Sequence, residues 1–108
     1  MNPSIEEELE LQNLDNQDQE ALEQAKRDAF VYSNKGNSLH VLKNYNEAIE
    51  CFDKAISLEP GDAYTYTFKG NSLLRLQRFN EALECFEKAI SLEANDAVFY
   101  NYKAKALS

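Results

Sequence analysis

Residues 29–62 read AFVYSNKGNSLHVLKNYNEAIECFDKAISLEPGD, and residues 63–96 read AYTYTFKGNSLLRLQRFNEALECFEKAISLEAND. Twenty-one of the 34 aligned positions are identical. Exchanges such as Tyr45/Phe79, Ile49/Leu83 and Asp53/Glu87 keep size and charge. A duplication at this period means one supersecondary unit used twice, and such units complete their cores by stacking on neighbours. A third copy opens at Ala97 with AVFYNYKAKALS, enough for one helix.

Each unit carries two helical patterns. The first helices are predicted over about 29–42 and 63–76, the second over about 46–58 and 80–92. Ala48, Phe52, Ala55 and Ile56 share one helical face, and Ala82, Phe86, Ala89 and Ile90 repeat it. Glu50, Asp53, Lys54 and their counterparts Glu84, Glu87, Lys88 fall on the other. Asp62 and Asp96 are expected N-caps of the helices that follow them, and Asn46 and Asn80 of the second helices, with Glu47 and Glu81 favourably placed at the dipole. The links Lys43-Asn44-Tyr45 and Gln77-Arg78-Phe79 are short enough to require antiparallel pairs. Pro60-Gly61 stops the first pair. Gly36 and Gly70 sit inside helices, where glycine costs about 1 kcal/mol against alanine. A packing reason is therefore expected: a close approach of backbones permitted by Ala48 and Ala82, with Phe52 and Phe86 filling the space beyond.

The set Tyr32/Tyr66, Gly36/Gly70, Leu39/Leu73, Ala48/Ala82, Phe52/Phe86, Ala55/Ala89 and Pro60, at a 34-residue period, resembles the tetratricopeptide repeat family. The resemblance covers 29–96 fully and 97–108 in part. It departs from the family where tyrosine stands in place of the frequent tryptophan, lysine precedes each glycine, Ala94 replaces a proline and Ala104 a glycine. It implies an all-α fold, an α-solenoid of antiparallel helix pairs with a single capping helix. The organisation is then an acidic leader at 1–28, partly helical or disordered, repeats at 29–62 and 63–96, and a first helix of a third repeat or capping helix at 97–108.

In that family the first helices line a concave face that binds protein segments. Carried over, the groove comprises Phe30, Ser33, Asn34, Asn37 and His40 from the first unit, Tyr64, Thr67, Asn71 and Arg75 from the second, and Asn101 and Lys105 from the third. Phe68 and Tyr102 either join this face or pack between repeats. The asparagines offer both donors and acceptors to a peptide backbone, and Arg75 with Lys105 makes one end cationic. Family members that bind chaperone tails hold two carboxylates with a lysine–asparagine clamp. The matching places here are Ser33, Asn37, Phe68, Val98 and Tyr102, and only Asn37 agrees, so that ligand is disfavoured. The expected role is a protein-interaction scaffold without catalysis or cofactor. The alternatives are a self-assembly module using the unpaired helix of residues 97–108 in a homo-oligomer, or a regulatory fragment of a larger multi-repeat protein.

Charge patterning agrees with a protein partner. The net charge of −8 is concentrated in residues 1–28, where nine acids face Lys26 and Arg27. With no basic stripe, nucleic acid is not an expected partner. No apolar run suits a membrane span or secretory signal, and a cytoplasmic location follows as the expectation. Cys51 and Cys85 stand at equivalent repeat positions and read as small packing residues rather than a disulfide or metal site. Within the leader, Ser4-Ile5-Glu6-Glu7 starts a helix, Asn16-Gln17-Asp18 reads as a break, and Glu20–Asp28 extends the first repeat helix backwards. The leader either stays solvated or covers the open end of the first unit or the groove.

Overall fold

The computed structural model describes residues 4–93, with backbone alone for 8–15. The described chain forms four helices, α1 (Ile5–Val41), α2 (Tyr45–Leu58), α3 (Ala63–Arg75) and α4 (Phe79–Leu92). Helix α1 packs on α2, α2 on α3 and α3 on α4, with a slight contact between α1 and α3. Two helical hairpins thus stack side by side. Helix α1 begins where the sequence signals it, with Ser4 Oγ accepting from the Glu7 amide at 3.2 Å. It then runs unbroken through Asn16-Gln17-Asp18, where a break was expected. None of the three is a proline or glycine, and the strong helix formers on either side carry the helix across.

Within each hairpin the aromatic of the second helix is the centre. Phe52, Phe86, Ala48 and Ala82 are fully buried. The glycines have a more direct reason than close backbones. A Cβ placed on Gly36 would lie 2.5 Å from the Phe52 ring, and one on Gly70 would lie 2.6 Å from the Phe86 ring. The phenyl ring itself occupies the space that a side chain would need.

The turns correct the sequence reading at Asn46 and Asn80. Lys43 and Gln77 adopt left-handed backbone, φ 65° and 61°. Asn44 N donates to Leu39 O at 2.8 Å and Lys43 N to His40 O at 2.9 Å, and Arg78 and Gln77 repeat this with Leu73 and Leu74. This doubly bonded C-terminal turn satisfies the last carbonyls of one helix and redirects the chain straight into the next. The second helices therefore start at Tyr45 and Phe79. Their N-caps are Asn44 and Arg78, which make no side-chain cap bond. Asn46 and Asn80 lie inside the first turn, where Glu47 and Glu81 complement the dipole. Asp62 does cap α3, accepting from the Tyr64 amide at 3.1 Å.

Between the repeats runs a polar seam. Ser33 and Thr65 hydroxyls meet at 3.1 Å. Thr65 also donates to Asp62 at 3.0 Å. Lys69 pairs with Asp53 at 2.6 Å. Burial opposes the charge on Lys69, yet the hydrogen bond and charge of Asp53 outweigh it and raise its pKa. Cys85, a buried free thiol beside Ile49, Leu73 and Phe86, is pushed up by burial, as suits a packing residue.

His40 closes the seam. Its Nδ1 lies 2.8 Å from Ser72 Oγ, and its ring meets Tyr45 edge-on at 5.2 Å. Burial first, and the charge of Arg75 second, hold its pKa below the ordinary 6.5. As pH falls, the unfolded chain binds this proton before the folded one does. The seam's contribution is thus complete above the ordinary pKa and is lost as pH falls through that value towards the lower folded one. His40→Gln should flatten the decline of the urea midpoint over this acid range. A slope as steep as wild type would remove His40 as its source.

Candidate functional site: a groove between the first helices

An open cavity of about 410 Å³ lies between α1 and α3. Lys26, Phe30, Ser33, Asn34 and Asn37 line it from α1, Tyr64 and Phe68 from α3, and Glu59 and Asp62 from the intervening link. Phe30 is 66% exposed and Tyr64 53% exposed. Aromatic surface left open on a small helical domain is the usual mark of a contact site. Phe68 is half-buried, and its ring centroid stands 6.0 Å from that of Phe52. The groove floor is therefore continuous with the hairpin core, which fixes its shape.

The polar lining sorts into engaged and available groups. The Ser33 side chain is turned to the seam, at 8% exposure. Asp62 spends both carboxylate oxygens on the start of α3. Asn34 is exposed and Asn37 half-buried, and their amides can bond an extended backbone. Lys26 and Glu59 place opposite charges on the lining, so no cationic cluster forms among the described groove residues.

Five residues read from the sequence as groove residues, Phe30, Ser33, Asn34, Asn37 and Tyr64, share this cavity. Ser33 belongs to it only through its edge. Thr67 is corrected: it is 2% exposed, and its hydroxyl donates back to Ala63 O at 3.1 Å, the common internal bond of a helical threonine. His40 is half-buried, with its Nδ1 engaged by Ser72. Asn71 is half-buried and Arg75 exposed, both outside this cavity. Asn101 and Lys105, with Val98 and Tyr102, lie outside the described residues. Sequence reasoning missed Lys26, Glu59 and Asp62. Lys26 precedes Phe30 by one helical turn, so a helix extended back through the leader carries it to the same face.

Among the described residues, no group of three or more histidine, cysteine or acidic side chains is placed to hold a metal. No helix among them is long and apolar enough to cross a membrane.

Stacked helical hairpins with an aromatic-lined groove between their first helices define a helical-repeat protein. The chain belongs to the tetratricopeptide repeat family, whose model matches residues 29–62 and 63–96. No curated protein sequence matches it significantly. Similar solved structures include the first tetratricopeptide domain of Spaghetti (RPAP3) bound to the HSP90 peptide SRMEEVD, at 26% identity and TM-score 0.73. The match covers 75% of this chain and 64% of that one, so this chain spans less than two thirds of its neighbour. The Arabidopsis OM64 domain of the same family is similar in fold, at 24% identity and TM-score 0.73, covering 76% of this chain and 68% of that one. Cut9 with Hcn1, from an APC/C hetero-tetramer, gives TM-score 0.74 at 22% identity, covering 77% of this chain but 16% of that one.

Proposed function

We propose that this protein is an interaction scaffold that binds an extended segment of a partner protein in the groove between α1 and α3. The observation that carries the reading is the pair of exposed aromatics, Phe30 and Tyr64, above the half-buried Phe68, with the free amides of Asn34 and Asn37 beside them. An apolar side chain of the ligand sits against the rings, and the asparagines bond its backbone. Binding is the whole activity: no chemical step and no cofactor is assigned. The partner is a polypeptide rather than nucleic acid, since the chain carries a net charge of −8, and the protein works in the cytoplasm.

The RPAP3 domain supports a peptide ligand in general. The ligand type proposed here differs. Of the clamp positions within the described residues, Ser33 is buried in the seam and Phe68 is an apolar floor; Asn37 alone keeps the chemistry of a carboxylate clamp. An apolar anchor thus takes the place of a terminal carboxylate.

The test is selection of binding peptides from a random library on the wild-type chain, followed by titration of Phe30→Ala/Tyr64→Ala. Loss of both rings should weaken binding at least about tenfold, equivalent to about 1.4 kcal/mol, with melting nearly unchanged because both rings are exposed. Affinity should change little with salt, unlike a clamp built on charge. Unaltered affinity in the double variant would move the site elsewhere.

A further inference from the structure

The groove does not end with its cavity. On α1, Phe30, Asn34, Asn37 and Val41 follow one another at helical spacing and share one face. On α3, Tyr64, Phe68, Asn71 and Arg75 hold the equivalent positions of the second repeat. The cavity takes in Phe30, Asn34, Asn37, Tyr64 and Phe68, and the two faces then carry on to Asn71, Val41 and Arg75. Two hydrogen bonds keep the helices in register along this length. Ser33 meets Thr65 at 3.1 Å and His40 meets Ser72 at 2.8 Å, both pairs 32 residues apart in sequence. The helices thus run side by side past the cavity, and Val41 stands within a turn of the level of Arg75.

This far end has a chemistry of its own. Val41 is 77% exposed and Arg75 is exposed. Asp53 pairs with Lys69 and Glu81 with Arg78, and among the described residues no carboxylate pairs with Arg75. Its charge is felt next door, where it adds to burial in holding the His40 pKa below 6.5. A lone guanidinium therefore stands at the end of a groove whose floor is apolar. Along α3 it lies nine residues beyond the midpoint of Tyr64 and Phe68, about 13 Å at the rise of an α-helix. An extended chain covers that length in about four residues. Asn37 and Asn71, both half-buried, occupy the stretch between, with amides suited to a backbone passing over them.

We infer that the groove selects a segment with two marks: an apolar side chain against the aromatic rings, and an aspartate or glutamate about four residues away whose carboxylate pairs with Arg75. The inference rests on the groove reading above and adds to it a residue that sets specificity. A guanidinium offers parallel N–H donors that fit the two oxygens of a carboxylate. The chain as a whole repels acidic ligands, with its net charge of −8. Preference for an acid at one place in the ligand must therefore come from a local cation, and Arg75 is that cation.

Peptides selected on the wild-type chain from a random library, then synthesised with amidated C-termini, test it by fluorescence titration. The selected set should carry Asp or Glu at this spacing from the apolar anchor. Replacing that acid by its amide should weaken binding about three- to fivefold, the scale of an exposed ion pair. A single pair of this size leaves the salt dependence of binding slight. On Arg75→Ala the acid and amide peptides should bind alike, and on Arg75→Glu a lysine version should bind better than the acid. Arg75 is exposed, so both variants should keep wild-type helicity. The Phe30→Ala/Tyr64→Ala chain should lose affinity for every version while keeping the preference for the acid. A selected set without the acid, or an acid preference that survives in Arg75→Ala, overturns the inference; loss of binding in the ring variant then leaves the groove reading standing. Affinity indifferent to both rings removes the groove reading and this inference with it.

Discussion

Phe86→Ala should lower stability by about 3–5 kcal/mol, the range for deleting a buried phenylalanine where the site cannot collapse. The Phe86 ring is fully buried among Ile49, Leu73, Ala82 and Cys85, and it fills the space above Gly70. Neither the glycine nor the alanine has a rotatable side chain that could swing into the void, so relaxation is small and the cavity persists. A domain of this size is stable by roughly 5–15 kcal/mol in total. The variant should therefore lose a large fraction of its stability. Because each repeat is supported only by its neighbours, the loss spreads to the first hairpin. Phe52→Ala should be comparably severe, since that ring also meets Phe68 across the repeat boundary. The control is Phe79→Ala, whose ring is 52% exposed; it should stay within about 0.5–1 kcal/mol. Urea titration followed by circular dichroism measures all three. A melting temperature for Phe86→Ala within a degree or so of wild type would remove it from the core.

Much of this architecture could be read from residue types, and the particular failures trace to contacts and turns that residue types do not signal. Phe52, Phe86, the helical glycines and Asp62 were legible because their roles are set inside one repeat or at its own boundary. Ser33 misled because its hydroxyl meets Thr65 of the neighbouring repeat, and Thr67 because its hydroxyl turns back to Ala63 O of its own helix. Val31 and Thr65 make the point: equivalent positions differ by 63% against 2% exposure, since the first repeat packs on Thr65 while Val31 is left open among the described residues. The caps at Asn46 and Asn80 failed for a local reason. Lysine and glutamine carry no sequence signal for left-handed backbone, yet Lys43 and Gln77 adopt it, and the tight turns they make move both helix starts back by one residue. The groove was half legible. Its aromatics could be carried over from the family pattern, whereas Lys26 and Glu59 enter only once the length of α1 and the path of the α2–α3 link are known.

The glycines provide the second large effect, because the same substitution should have opposite signs at two sites. Gly70→Ala gains about 1 kcal/mol of intrinsic helix preference. On that ground alone it stabilises. The new methyl, however, would stand 2.6 Å from a carbon of the Phe86 ring. The ring is fully buried and has no free rotamer to escape into, so the hairpin must open to admit the methyl. Overpacking of a tight core costs about 1–3 kcal/mol, and a clash this deep belongs at the upper end. Net destabilisation of about 1–2 kcal/mol is expected for Gly70→Ala, and the same for Gly36→Ala against Phe52. Gly61 is the counterexample. Nothing lies within 4 Å of a Cβ placed there, and no glycine in the described chain has positive φ. Gly61→Ala restricts only the unfolded chain and should raise stability by about 0.4–1 kcal/mol. A double-mutant cycle separates clash from propensity. In a Phe86→Leu background the smaller side chain leaves room for the methyl, so Gly70→Ala should become neutral or favourable there, a coupling of about 1–3 kcal/mol between contacting residues. If Gly70→Ala stabilises the wild-type chain as Gly61→Ala does, the glycine is not there to admit the ring.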